Sequence, residues 1–145
     1  LDESIDALVI FSGPHHYITP AWYPSKAEHE KVVPTWNYIM VHARGKITFK
    51  TDPHWMLTHL TALTDHNEAK RKTPWKVSDA PDDYIARQFR GIIGIEIDIS
   101  QLQGTWKVSQ NKNEKDNQGV VDGLTSESTE AANNMAMNVR QRKVI

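Results

Sequence analysis

The chain has 145 residues, enough for one ordinary domain with a single buried core. Its 17 Lys and Arg stand against 18 Asp and Glu, a formal charge of −1, so no broad basic field is available to hold a nucleic-acid backbone by electrostatics alone. Cysteine is absent, which excludes disulfides, thiolate metal sites and cysteine nucleophiles, and no apolar run approaches the roughly 18 residues of a membrane span. A soluble cytoplasmic protein with no membrane segment is the expectation.

The chain opens LDESIDALVIF, without methionine, and enters an apolar strand within five residues, so further residues are expected before Leu1. Ile5 to Phe11 reads as a buried strand closed by a turn at Ser12-Gly13-Pro14. His15 to Tyr23 reads as a further extended segment, because Pro14 and Pro20 oppose helix in the residue before each. Ser25 to Lys31 is polar and forms an exposed loop, and Val32-Val33-Pro34 returns the chain inside. From Asn37 to Phe49 the residues alternate with period two. A strand of that length, about 40 Å, is long for a small sheet, so Gly45 marks a bulge or bend of the type that closes small barrels. The alternation puts Trp36 and Tyr38 on one face and Asn37 on the other.

Asp52-Pro53 is a helix start, an N-cap acceptor followed by proline, and Met56, Leu60 and Leu63 extend the helix to about Lys70. A polar connector, RKTPWKVSDAP, leads to a second helix from Ser78 or Asp79, with Tyr84, Ile85, Phe89 and Ile92 as its stripe. Ile93, Ile95, Ile97 and Ile99 alternate with polar residues as a half-buried strand, and Leu102 to Gln110 reads as another strand bent near Gly104. The polar run NKNEKDNQG follows. The segment from Thr125 is helix-compatible but weakly apolar, a helical or mobile tail.

Seven histidines invite a metal reading, but His15 and His16 face opposite ways on an extended chain and His59 and His66 lie two turns apart. No metal site is expected. Ser12 lacks the strained elbow of a serine nucleophile, and Gly91-Ile92-Ile93-Gly94 opens a strand instead of a helix, the reverse of a phosphate-cradling loop. Arg140, Arg142 and Lys143 form a small basic cluster that reads as a solvated segment. Two patches stand out instead: Pro34-Thr35-Trp36-Asn37-Tyr38, and Trp106 to Asn111. Both offer rings beside amides, hydroxyls and a cation. A flavin mononucleotide needs these groups for its ring face, ring edge and phosphate.

The segments FSGPHHYITPAWY (11–23), VVPTWNYIMVHARGKI (32–47), PWKVSDAP (74–81), GTWKVSQNK (104–112) and GVVDGL (119–124) resemble, in order, the PaiB family of FMN-binding negative transcriptional regulators. The resemblance implies a split-barrel flavoprotein similar to pyridoxamine 5′-phosphate oxidase, with FMN at a homodimer interface and each protomer contributing to both sites. Thr35, Trp36, Asn37 and Tyr38 resemble the strand that meets the flavin ring, and Lys107, Gln110 and Asn111 the late strand that supplies polar contacts to FMN. Proteins of the family begin several tens of residues earlier, with strands that provide much of the phosphate-binding surface.

The expected fold is therefore α+β: a small, mainly antiparallel split β-barrel of the FMN-binding type with flanking amphipathic helices, over residues 1–124, followed by the tail at 125–145. Trp22, Tyr23 and Trp36 are expected to form an exposed aromatic patch covered in the homodimer. The expected function is FMN-binding negative transcriptional regulation, with a flavin-dependent oxidoreductase as the alternative; no catalytic acid or base stands out beside the flavin patches. DNA binding is implied by the resemblance alone, since the sequence has no helix-turn-helix and no basic stripe.

Overall fold

A computed structural model describes residues 5–141; Arg142 and Lys143 of the expected basic cluster lie outside them. The fold is α+β, with three β-strands and five α-helices among the described residues. The strands are β1 (Asp6–Ile18), β2 (Thr35–Lys50) and β3 (Gly94–Lys107), in the spatial order β1-β2-β3. Residue 5 pairs with 47, 6 with 46 and 13 with 39, rising numbers against falling ones, so β1 and β2 are antiparallel. Lys50 meets Glu96, Ser100 meets Arg44 and Lys107 meets Thr35, which makes β2 and β3 antiparallel as well. The sheet is open.

Two of these strands are longer than the sequence reading. The expected turn at Ser12-Gly13-Pro14 is absent, and β1 runs straight through it. Proline is tolerated there because β1 is an edge strand, where a missing N–H breaks no ladder. The segment still changes phase. Leu8 and Ile10 are exposed before Pro14, whereas His15 and Tyr17 are exposed and Ile18 is buried after it. Likewise the two strands expected from Ile93 to Gln110 are one, β3, in which the Trp106 ring folds back over Gly104.

The described residues fall into two compact units, and all three strands contribute to both. One unit holds residues 5–7 and 44–100. Its helix α2 (Pro53–Glu68) follows helix α1 (Lys26–His29) in the chain and starts as expected, with the Asp52 carboxylate accepting from the His54 and Trp55 N–H groups. The Trp55 ring lies on Gly94, and Met56 is buried. Helix α3 (Asp82–Phe89) begins later than expected, after a 3₁₀ turn at Val77–Asp79. Ile93, Ile95 and Ile99, expected on a half-buried face, are exposed.

The other unit holds residues 8–43 and 101–141 and contains the main core. Helices α4 (Glu114–Ser126) and α5 (Glu130–Gln141) supply Val120, Val121, Leu124, Ala132, Met135, Ala136 and Val139 to it, joined by Ile18, Tyr23 and Val108. The polar run NKNEKDNQG, residues 111–119, leads into α4 and forms its first turns. Its cap was legible: the Asn113 side chain accepts from the Asp116 N–H at 2.8 Å, with Glu114 and Asp116 in the first turn. No helix among the described residues is long and apolar enough to cross a membrane.

Candidate functional site

The site is built where the ends of β1, β2 and β3 meet α4. After β1, Thr19 caps a 3₁₀ turn at Pro20–Trp22 by accepting from the Ala21 N–H at 3.2 Å. The turn lays the Trp22 ring on α4 at Gly123 and brings the Trp22 main-chain carbonyl against Gly119. A Cβ on Gly123 would come within 2.3 Å of that ring. Trp22 in turn sets Tyr23 and Ser25, both buried.

Ser25 is tied to α4 twice: its N–H and hydroxyl donate to the Asp116 carboxylate at 3.0 and 2.7 Å. Burial pushes the Asp116 carboxyl up, but the Ser25 N–H and hydroxyl, the Lys112 ammonium and the Asn113 amide together hold it below the ordinary carboxylate range. Burial first, and then the negative charge of Asp116, push the Tyr23 phenol up, so it stays protonated and remains a donor. The Tyr23 hydroxyl is buried without a hydrogen-bond partner. Lys112 places its ammonium 4.5 Å from the centre of the Tyr23 ring.

Past β3, Ser109 adopts a left-handed conformation, φ 61°, unusual for a residue with a Cβ. Four hydrogen bonds hold it. The buried Asn37 amide donates to its hydroxyl at 2.9 Å, that hydroxyl donates to the Asn37 amide oxygen at 3.3 Å, its carbonyl accepts from Lys112 N–H at 3.1 Å, and the Asn117 amide donates to the same carbonyl at 3.3 Å. This bend turns residues 109–112 back over β2.

A cavity of about 160 Å³ results, lined by Tyr23, Val33, Thr35, Asn37, Lys107, Ser109, Asn111 and Lys112. Lys107 Nζ donates to Thr35 Oγ1 at 2.7 Å and lies 6.0 Å from the centre of the Tyr38 ring. Two ammonium groups and no carboxylate line the cavity.

Four of the seven residues singled out in the sequence thus converge on one cavity: Thr35, Asn37, Lys107 and Asn111. Asn37 spends its amide on Ser109 and acts as a brace. Tyr38 stands beside Lys107 without lining the cavity. Trp36 is elsewhere: 49 % exposed, it packs against His15 and Tyr17, with its indole N–H donating to His15 Nδ1 at 3.3 Å. Gln110 closes its own turn, accepting from the Val108 N–H at 2.8 Å and donating to the Trp106 carbonyl at 2.6 Å.

Tyr23, Val33 and Lys112 line the cavity and were not singled out for the flavin, while Ser109 lay within the Trp106 to Asn111 patch without a role of its own. Tyr23 was expected on an exposed patch, yet it is 2 % exposed, because Trp22 packs on α4 and turns the next ring inward. The legible signal was position: Ser109 and Lys112 flank Gln110 and Asn111 in the run KVSQNK. A larger cavity of about 890 Å³ lies in the other unit, between α2, α3 and the Val77–Asp79 turn, with Leu57, Ile85 and Phe89 among its walls. None of the expected flavin residues lies there. Among the described residues, no group of three or more His, Asp or Glu side chains converges to hold a metal ion.

A family model described as "Putative FMN-binding domain" matches residues 1–101. The chain is 40% identical to an uncharacterized protein of Emericella nidulans over 98% of this chain and 61% of that one, and 38% identical to one of Aspergillus fumigatus over 94% and 59%. It is 34% identical to the Bacillus subtilis protein named "Protease synthase and sporulation protein PAI 2", over 90% of this chain and 60% of that protein. The chain therefore spans about three fifths of the length of these relatives. With the FMN-binding model matching most of its length and PAI 2 aligned along nine tenths of it, the chain belongs to the PaiB-like FMN-binding family, whose cofactor is FMN.

Proposed function

We propose that this chain is the flavin-holding part of a PaiB-type, FMN-binding negative transcriptional regulator, built as a portion of a split barrel and working in the cytoplasm as a homodimer in which each protomer contributes to both flavin sites. The observation that carries this reading is the convergence of Thr35 and Asn37 with Lys107 and Asn111, from segments 72 positions apart, on one cavity rich in donors. Those groups suit the anionic and carbonyl acceptors of FMN. When bound, FMN supplies an electron-accepting ring; the chain's own residues bind and orient it.

Regulation is favoured over catalysis by the kind of group present. The lining offers amides, hydroxyls, a phenol and ammonium groups that bind, and neither a carboxylate nor an imidazole to move protons near neutral pH. Two measurements test the reading. FMN-loaded protein mixed with NADPH or NADH in air, with O₂ as the electron acceptor, should bleach slowly and consume little nicotinamide; rapid bleaching with multiple turnover of NAD(P)H would replace it with the oxidoreductase reading. Selection of DNA from a random pool, repeated over a salt series, should enrich a defined sequence. Weak binding that is indifferent to sequence and vanishes by about 200 mM salt would remove direct DNA recognition.

A further inference from the structure

We propose that the Tyr23–Lys107–Lys112 cavity is a phosphate-monoester subsite: it holds the phosphate of FMN, and the flavin ring lies outside it. This rests on the FMN-binding reading but differs from what the family resemblance implies, namely that the phosphate surface comes largely from residues before Leu1 and that Thr35 to Tyr38 face the ring.

Size is the first argument. A cavity of about 160 Å³ exchanges a handful of waters, each of about 30 Å³, for a phosphate group. A tricyclic flavin ring calls for a pocket in the ordinary ligand range of about 300–1,000 Å³. Charge is the second. The two charged side chains in the lining are Lys107 and Lys112; the Asp116 carboxylate, which Lys112 also faces, does not line the cavity and accepts from Ser25 and Asn113. Lys107 is exposed and Lys112 half-buried, so their ammonium groups give the cavity a positive charge at its mouth that an anion complements.

The third argument is the orphaned phenol. Tyr23 is 2 % exposed, it lines this cavity, and its hydroxyl has no partner. A buried donor left unpaired costs stability, which a fold tolerates where a ligand completes the bond. The Asn111 amide and the remaining protons of Lys107, one of which is given to Thr35, add donors of the same kind. The strained backbone of Ser109 forms the same wall, held by hydrogen bonds to Asn37, Lys112 and Asn117.

The test titrates the full chain with FMN and with riboflavin, which lacks the phosphate, and follows the thermal midpoint in inorganic phosphate. Wild type should bind FMN at least about tenfold more tightly than riboflavin. Tyr23→Phe and Lys112→Ala should each weaken FMN about tenfold and leave riboflavin unchanged. Tyr23→Phe removes a hydroxyl that bonds nothing in the ligand-free chain, so its thermal midpoint without ligand should equal or exceed that of wild type. This guards against a loss of fold passing as a loss of binding. Equal affinity of wild type for FMN and riboflavin, or variants that weaken both alike, would overturn the proposal while the FMN-binding reading stands. If neither flavin binds, but phosphate raises the midpoint of wild type and not of Lys112→Ala, the flavin reading falls and the phosphate subsite stands. Absence of both effects overturns both.

Discussion

Gly123 shows how a single atom decides the geometry of the site. Alanine is favoured over glycine inside a helix by about 1 kcal/mol, so propensity alone would make Gly123→Ala stabilising. The new Cβ would stand 2.3 Å from the Trp22 ring, which is itself pinned between α4 and the Pro20 turn. Overpacking wins: Gly123→Ala should lower stability by about 1–3 kcal/mol in urea unfolding and weaken ligand binding at Tyr23 with it. Asp116 gives the pH dependence. Its carboxyl is held below the ordinary value in the folded chain, so its contribution is fully present above about pH 4 and is lost as pH falls through that depressed value. Asp116→Asn should therefore be less stable than wild type at pH 7, and the gap should close below about pH 4. A gap that stays constant from pH 7 to pH 3 would show that the carboxylate charge contributes nothing.

At the scale of elements, Gly45 lets β2 lie close against β3: a Cβ there would stand 2.0 Å from the Asp98 carbonyl oxygen. Backbone cannot step aside as a flexible side chain can, so Gly45→Ala should cost about 2 kcal/mol or more and reduce amide protection along β3 in hydrogen exchange. The sequence reading took that glycine for a bulge or bend, whereas β2 runs through it as one strand and the missing Cβ admits the β3 backbone. The start of α2 was legible, since Asp52-Pro53 is a local signal that no tertiary contact needs to support. The C-terminal core was less legible. Asn113 and its acidic first turn mark a helix, but the polar run NKNEKDNQG masks them, and the apolar side of α4 becomes visible only with Trp22 lying on Gly119 and Gly123. Tyr23 was misjudged for the same reason, a long-range packing choice that spacing along the chain does not encode. The isoleucines of β3 gave the right element and the wrong burial, because period two reports a strand and not what covers it.

At the scale of the molecule, both units carry exposed apolar sheet residues: Ile93, Ile95 and Ile99 in one, Leu8, Ile10, Phe11 and Leu102 in the other. Clusters of this kind fit the proposed homodimer. Light scattering on the purified chain should give the mass of two chains, and substitution of Ile95 and Ile99 by threonine should shift it toward one. The central claim is that this chain holds FMN through residues gathered from its two halves, and the most direct measurement is the visible spectrum of the protein after incubation with FMN and desalting. The account predicts a retained, stoichiometric flavin band that Lys112→Ala largely loses. A colourless wild-type protein, with all of the FMN in the small-molecule fraction, would contradict it.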